Sequence, residues 1–349
     1  MVRVVMISTH LLPTPPAKGG AIETVVHTLA SGLSSRNIEV YVIGIPNKML
    51  DYRLYGYTPL PLRKRSFELS ILSVLPYRIR TYIYDHITAY IHTNTMIKYL
   101  RQVLRNVDTV IVHAHYIPTV LPLINRLTRL KRSKNIALIL HHHNKPNKYL
   151  YPFLKHFDLH IGVSNFITSY VAKELGLTNA ISIHNPIQED VFKPLRCDEM
   201  LRMNSKFVQS YFKDISKHDY RILFVGRIIP EKGIHHLVKA LSLLPEYFRK
   251  KTLLTIVGPL GFFGNKKSYS EFFDAIRSVM RRRSINYVYA GTVDIKELLV
   301  LYNLADVVIV PSIWDDPAPL VVGEALMVGK HVIGYRSGGI PELVLEGTG

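Results

Sequence analysis

The sequence contains one cysteine, Cys197, and no apolar run that approaches the roughly 18 residues needed to span a bilayer. One cysteine excludes an intramolecular disulfide and a cysteine-rich zinc site, and it suits a reducing compartment. These absences predict a cytoplasmic protein that is soluble or, at most, peripheral on the inner face of a membrane.

Acidic residues are also scarce, with 26 Asp and Glu against 44 Lys and Arg, and the formal net charge is +18. Residues 1–190 hold 22 basic and 10 acidic side chains, whereas residues 191–349 hold 22 and 16. Basic clusters such as Arg63–Arg65 and Arg129–Lys134 would attract an anionic membrane surface, a polyphosphate-linked acceptor or nucleic acid. The alternative is a solvated basic surface that maintains solubility.

Short β-rich runs alternate with helical patterns along the chain, which predicts an α/β protein with βαβ units and mainly parallel sheets. A polar stretch from about Asn185 to Asp219 separates two such series. We therefore predict an N-terminal Rossmann-like domain over residues 1–190, a linker region over 191–218 and a C-terminal Rossmann-like domain over 219–349. The predicted strands are Val2–Ser8, Glu39–Ile45, Thr109–His113, Ala137–His141, Leu159–Val163, Ala180–His184, Ile222–Val225, Leu253–Val257, Tyr287–Ala290, Val307–Val310 and Val332–Tyr335.

Three motifs in the last third of the chain lie where a strand gives way to a helix. They are G-R-I-I-P-E-K-G at 226–233, D-D-P-A-P-L-V-V-G-E-A at 315–325 and G-G-I-P-E at 338–342. Each supplies cations, a carboxylate or glycine-freed backbone amides at the edge where open α/β sheets bind nucleotides. Together they predict a phosphate-bearing ligand.

On these motifs the chain resembles a family 4 retaining glycosyltransferase of the GT-B fold, in which two Rossmann-like parallel-sheet domains face a cleft. The resemblance covers nearly the whole chain. In that family an acidic residue and a glutamate eight positions later bind the donor sugar and the nucleotide ribose. The matching pair here is Asp316 and Glu324, with aspartate in place of the more usual glutamate. Arg227 and Lys232 match the basic pair that holds the donor diphosphate.

The chemistry of sugar transfer needs such cations, because breaking a sugar–phosphate bond develops negative charge on the leaving diphosphate. An arginine can hold two oxygens at once, whereas a lysine acts as a point charge. The resemblance also implies binding of the nucleotide sugar by Gly19, Gly20, Gly226, Gly258, Val293, Leu320, Val321, Gly338, Gly339 and Ile340.

Histidines form a further set of candidates. His115 stands at the end of a predicted strand in the run V-I-V-H-A-H-Y, and the resemblance implies that it faces the donor sugar; a strand-end histidine bonded to the backbone is the alternative. The run His141–His143 cannot direct all its rings at one ion, because neighbouring strand residues face opposite sides. There is no nearby cysteine and no D-x-D triplet, so we predict no metal and no cofactor.

The resemblance implies transfer of a hexosyl unit from a nucleoside diphosphate sugar to an acceptor hydroxyl, with retention of anomeric configuration and without a metal ion. The acceptor stays open and could be lipid-linked or a polysaccharide. The aromatic and basic segment 67–92 favours a helical stripe buried in the first domain over a lipid-contacting surface. The alternatives are a GT-B sugar-nucleotide epimerase or phosphorylase and a non-catalytic protein that binds anions, nucleic acid or a membrane surface. Nucleic acid is the partner we favour least.

Overall fold

The structure is a computed structural model that describes residues 2–16, 20–48, 51–62, 77–202, 206–261 and 266–344. The chain divides into two compact units, Met1–Pro186 and Ile187–Gly349. Each unit contains its own parallel sheet, as the alternation of strand and helix patterns predicts.

The first unit holds an eight-stranded sheet whose neighbouring strands pair in parallel. Its strands are β1 (Val2–Ile7), β2 (Pro13–Thr14), β3 (Glu39–Pro46), β4 (Thr58–Pro61), β5 (Thr109–Ala114), β6 (Ile136–His142), β7 (Leu159–Gly162) and β8 (Ala180–Ser182). The order is β2-β3-β1-β5-β6-β7-β8, and β4 also pairs with β3. The six predicted strands are all present. The short strands β2 and β4 were not predicted, because both contain proline and are too short to show an alternating pattern.

Helices of the first unit cover the sheet with apolar stripes. Helix α1 (Ala21–Ser34) packs one such stripe, because its fully buried Val26 and Ala30 lie in one cluster with Val4 and Met6 of β1 and Val42 of β3. The helices are α1 (Ala21–Ser34), α2 (Tyr77–Val103), α3 (Ile117–Val120), α4 (Ile124–Ser133), α5 (Tyr151–Leu154) and α6 (Asn165–Leu175).

The helix α2 covers the described part of the aromatic segment predicted over 67–92. Ala89 and His92 are buried on this helix, whereas Tyr90 is exposed, so the segment packs one face as a buried stripe would. Its first part, and the basic cluster Arg63–Arg65, lie outside the described residues. Across the described chain, no helix is both long and apolar enough to cross a membrane.

The second unit holds a five-stranded parallel sheet in the order β11-β10-β9-β12-β13. Its strands are β9 (Tyr220–Val225), β10 (Thr252–Val257), β11 (Asn286–Gly291), β12 (Val307–Val310) and β13 (His331–Gly334), which confirms the five predicted there. Its helices are α7 (Cys197–Arg202), α8 (Lys206–Ile215), α9 (Ile234–Leu243), α10 (Glu246–Lys251), α11 (Lys266–Arg282), α12 (Ile295–Leu304), α13 (Leu320–Met327) and α14 (Ile340–Leu343).

Residues 191–218, predicted as a linker region, instead belong to the second unit. They contain α7 and α8, and their Met200, Val208, Tyr211 and Ile215 are buried in the same core cluster as β9 and β12. The apolar residues of these helices are separated by charged ones, so the segment looks polar in sequence. Because their spacing places the apolar residues on one helix face, they nevertheless add to the core.

Candidate functional site

The candidate residues of the second unit gather where its strand order reverses. β9 is the first strand of this sheet in the chain; β10 and β11 lie on one side of it, and β12 and β13, which come later in the chain, lie on the other side. The carboxyl ends of β9 and β12 therefore lie next to each other with connections that diverge, which is the usual ligand position in open α/β sheets. The loop after β9 carries Arg227 and Lys232, and the loop after β12 carries Asp316.

Glycines hold these loops against one another. Gly233 has φ of 70°, and a Cβ atom there would lie 1.7 Å from the carbonyl oxygen of Pro311, beyond β12. Gly338 has φ of 57°, and a Cβ atom there would lie 2.1 Å from the carbonyl oxygen of Asp316. Both positions combine a left-handed conformation with contact to backbone, so only glycine fits. The loops after β9, β12 and β13 are thereby locked together.

The side chains of Lys232 and Asp316 form an ion pair between the loops after β9 and β12. Asp316 is only 5% exposed, and the ammonium group of Lys232 also lies 5.9 Å from the ring centroid of Trp314. The resemblance gives these two residues different parts of the ligand, the diphosphate and the sugar. Because the two side chains are in contact, the diphosphate and the sugar would be bound next to each other.

Glu324 lies on the first turns of α13 and is largely buried. Its Oε2 accepts a hydrogen bond of 2.7 Å from the hydroxyl of Tyr302, a fully buried residue of α12. Burial raises the pKa of the Glu324 carboxyl to about 7, although the Tyr302 hydrogen bond acts in the opposite direction. Tyr302 is a partner that the sequence did not reveal, because it lies within an apolar helix and carries no motif.

Arg227 lies two residues beyond the end of β9 and is half-buried. Main-chain hydrogen bonds fix the loop on both sides of it: the amide of Gly226 donates to Val257 and the amide of Ile228 donates to Pro259, each at 2.9 Å. The loop after β9 is therefore anchored on the loop after β10, and it presents Arg227 from a rigid backbone.

Most of the other residues that the resemblance names as binding the nucleotide sugar form hydrogen bonds or core contacts that hold these loops in place. The amide of Gly258 donates to Gly291 at 2.7 Å, that of Gly339 to Asp316 at 2.8 Å and that of Ile340 to Ser337 at 3.2 Å. Val293 packs on the core cluster that contains β12. Leu320 and Val321 open α13, preceded by Pro319 at the N-cap, and the first amides of a helix have no acceptor within it.

In the first unit the corresponding reversal of strand order lies between β1 and β5, and His115 follows β5 there. His115 is 1% exposed and its Nδ1 lies 3.2 Å from Nε2 of His143. Gly20 is the N-cap of α1 with φ of 130°, and a Cβ atom there would lie 2.7 Å from Oε2 of the buried Glu23. Gly19 lies outside the described residues.

Comparison with known proteins agrees with this fold. The family models described as "Glycosyltransferase Family 4" and "Glycosyl transferases group 1" match residues 19–191 and 208–349. The chain is 26% identical over 99% of its length to lipopolysaccharide 1,2-N-acetylglucosaminetransferase of Salmonella typhimurium, and it covers 83% of that protein. Over 99% of its length it is also 20% identical to spore coat protein SA of Bacillus subtilis, of which it covers 84%.

Solved structures share the fold at low identity. Anabaena Alr3699/HepE in complex with UDP and glucose superposes with a TM-score of 0.69 at 16% identity, over 99% of this chain and 84% of that one. Sucrose-phosphate synthase from Thermosynechococcus elongatus superposes with a TM-score of 0.68 at 18% identity, over 98% and 84% of the two chains. The protein is thus a glycosyltransferase of the GT-B fold. It belongs to the group 1, family 4 glycosyltransferases.

Proposed function

We propose that this glycosyltransferase moves a hexosyl unit from a nucleoside diphosphate sugar to an acceptor hydroxyl, with retention of anomeric configuration and without a metal ion. The observation that carries the proposal is the ion pair of Lys232 and Asp316 at the reversal of strand order in the second unit. Arg227 lies on the same loop as Lys232, and Glu324 lies on α13, which follows the loop of Asp316. Two cations and the carboxylate of Asp316 on glycine-locked loops, with the carboxylate of Glu324 on α13, match the two chemical ends of such a donor, its diphosphate and its hydroxyl groups.

In the proposed reaction the acceptor oxygen forms a bond to the anomeric carbon while the bond from that carbon to the diphosphate oxygen breaks. The diphosphate leaves on the face that the acceptor enters and takes the acceptor proton, so no enzyme nucleophile is needed. Negative charge grows on the departing diphosphate, and Arg227 and Lys232 stabilise it as preorganised cations. Lys232 is held for this purpose by Asp316 and by the ring of Trp314.

The carboxylates orient the donor. Glu324 accepts hydrogen bonds from the ribose hydroxyls, and Tyr302 sets the position of its other oxygen. Asp316 accepts from sugar hydroxyls while it pairs with Lys232. His115 is proposed as a further contact of the sugar, and its Nε2 carries no hydrogen bond from the described residues.

The similar glycosyltransferases suggest a class of donor, and a basic surface of the first unit suggests a class of acceptor. Anabaena HepE is described with UDP-glucose, and the Salmonella relative is named for transfer of N-acetylglucosamine on lipopolysaccharide. We therefore propose a uridine diphosphate sugar as the first donor to test and a lipid-linked or polysaccharide acceptor. A groove between α2 and α4 in the first unit is lined by basic residues that suit an anionic membrane surface at the cytoplasmic face, namely Lys98, Arg101, Arg105, Arg126 and Arg129.

The test is release of nucleoside diphosphate from a panel of uridine, guanosine and adenosine diphosphate sugars, with and without chelator. Trp314 is the only tryptophan in the chain, and its place beside Lys232 lets its fluorescence report donor binding. We expect release from one donor, unaffected by chelator and reduced at least about 100-fold in Arg227→Ala, because a preorganised charge contact is lost. Lys239→Ala, on the exposed face of α9, is the matched control.

Each alternative gives a distinct result. Conversion of the donor into its epimer without diphosphate release would favour the epimerase, and the anomeric proton signals of the product separate retention from inversion. Absence of donor binding to the folded protein would overturn the proposal and favour a non-catalytic anion-binding protein.

A further inference from the structure

Four histidines of the first unit gather beside the carboxyl ends of two neighbouring strands. The β5–β6 register places His113 opposite Ile139 and Ala114 opposite Leu140, so His115 comes beside His141. The ring centroids of His113 and His115 lie 4.2 Å apart, those of His113 and His141 5.3 Å, and those of His115 and His141 5.0 Å. His143 stacks on His141 at 4.8 Å. We call His113, His115, His141 and His143 the histidine cluster.

Three of these rings are buried with nitrogen atoms that lack hydrogen bonds from the described residues. The side chains of His113, His115 and His141 are 8%, 1% and 2% exposed. The atoms concerned are Nε2 of His113, Nε2 of His115 and both ring nitrogens of His141. A buried polar atom without a partner costs free energy, so several such atoms facing one another indicate a missing ligand.

His115 uses one ring nitrogen for a contact with His143, which leaves the other ring nitrogen for such a ligand. Nδ1 of His115 lies 3.2 Å from Nε2 of His143, whereas Nε2 of His115 has no hydrogen bond from the described residues. A histidine that ligates a metal commonly bonds a neighbour through its other nitrogen, which fixes the tautomer and the ring orientation.

We propose that His113, His115 and His141 form a binding site for a divalent transition-metal ion such as Zn²⁺. Their ligand atoms all lie within 4.8 Å of one another. Tetrahedral ligation with metal–nitrogen distances of about 2.0 to 2.1 Å would require these atoms to approach one another by at most about 1.5 Å. Imidazole ligands favour Zn²⁺, Cu²⁺ and Ni²⁺, whereas Mg²⁺ and Ca²⁺ prefer oxygen.

The run His141–His143 cannot supply all the ligands of one ion, because its neighbouring residues face opposite sides of one strand. Alternation does turn His142 to the opposite side of the sheet, where its Nε2 lies 2.9 Å from Nδ1 of His160. The ligand set instead combines two residues of the β5 segment with one of β6. Such a set depends on the pairing of strands that are far apart in sequence.

Occupancy of this site would inhibit transfer, a consequence that rests on the proposed function. His115 is the proposed sugar contact, and a bound ion would take its Nε2. Transfer without a metal and inhibition by Zn²⁺ are therefore compatible. Binding of the ion itself does not depend on the activity.

The experiment is titration of the full, chelator-treated chain with Zn²⁺ by calorimetry and with Co²⁺ by visible absorption. We expect one tight site, with the intense visible bands of tetrahedral Co²⁺, and at least a 30-fold weaker affinity in His113→Gln and in His141→Gln. His142→Gln is the matched control, because it is a buried histidine of the same strand outside the cluster, and it should bind like the wild type. Thermal unfolding checks that each variant is folded.

X-ray absorption of the Zn²⁺-loaded wild type provides a test that needs no variant, and we expect three imidazole ligands. Weak binding of many ions, or unchanged affinity in folded His113→Gln and His141→Gln, would overturn the site. If Zn²⁺ binds as expected but transfer continues at the same rate, the metal site stands and the proposed role of His115 is refuted.

Discussion

The carboxyl group of Glu324 is buried on α13, where the hydroxyl of Tyr302 donates a hydrogen bond to it. Its pKa of about 7 lies above the ordinary value of 4.5 because burial disfavours the charged form. The group is therefore poised to gain a negative charge near neutral pH. A ribose whose hydroxyls donate hydrogen bonds would favour that charged form.

The raised pKa predicts how stability depends on pH. Below about pH 4.5 the carboxyl is protonated in both states; as the pH rises, the unfolded chain releases this proton first and the folded protein retains it until about pH 7. This group therefore lowers the free energy of unfolding over that window. Glu324→Gln should be more stable than the wild type at pH 8 by on the order of 1 to 3 kcal/mol and equally stable near pH 4.5.

Urea unfolding at the two pH values measures this difference, with the exposed Glu189→Gln as a control that should change little at either pH. A stabilisation by Glu324→Gln that is the same at pH 4.5 and pH 8 would contradict the assignment of the raised pKa to this carboxyl.

Lys232 and Asp316 provide a second prediction at the level of residues. The Asp316 side chain is 7% exposed and that of Lys232 20%, so loss of one partner leaves a poorly solvated charge. Lys232→Ala should lower the free energy of unfolding by about 1 to 3 kcal/mol, and adding Asp316→Asn should recover part of that loss. A double-mutant cycle by urea unfolding measures this coupling.

Release of nucleoside diphosphate should nevertheless stay low in Lys232→Ala, in Asp316→Asn and in the double variant. The second substitution recovers stability, but it does not restore the charges that bind the donor. Full additivity of the two substitutions in stability would show that the ion pair contributes no coupling.

At the level of elements, the start of α9 depends on one glycine. Gly233 caps this helix in a left-handed conformation, and any Cβ atom would meet backbone 1.7 Å away. Gly233→Ala should therefore lower the free energy of unfolding by more than about 2 kcal/mol and weaken donor binding, since Lys232 precedes it.

Gly329→Ala is the matched control, because Gly329 has φ of 74° and no atom within 4 Å of a Cβ position. It should show the cost of the conformation alone, about 1 kcal/mol. Equal unfolding free energies for the two variants would mean that the loops after β9 and β12 can separate without cost.

Most strands and helices could be predicted from the sequence, whereas contacts between distant segments could not. Strand and helix positions could be predicted, because apolar periodicity is local and both units show it. The positions of Arg227, on the loop after β9, and of Glu324, on α13, follow from motifs at strand ends. Helices α7 and α8 were missed because their apolar residues are diluted by charges. Tyr302 and the partners of His115 were missed because they depend on packing and strand register between distant segments, which no local pattern encodes.

At the scale of the whole molecule, the net charge of +18 is concentrated in residues 1–190, and the groove between α2 and α4 gathers several of these cations. The described residues that line the groove include no acid. Surface cations near an anionic bilayer each contribute about 1 kcal/mol, and salt screens them. We therefore expect the protein to bind vesicles that contain anionic lipid, not neutral ones, and to dissociate as salt rises.

The place of the charge, rather than its sum, should decide this binding. Arg101→Glu with Arg105→Glu removes two cations of the groove, whereas Lys213→Glu with Lys217→Glu changes the net charge equally on α8 and just beyond it. Co-sedimentation should show at least a 10-fold loss of vesicle binding for the first pair and little for the second, because local potential falls off within a Debye length of about 8 to 10 Å. Equal losses would mean that the excess charge acts as a whole and that the groove has no special part.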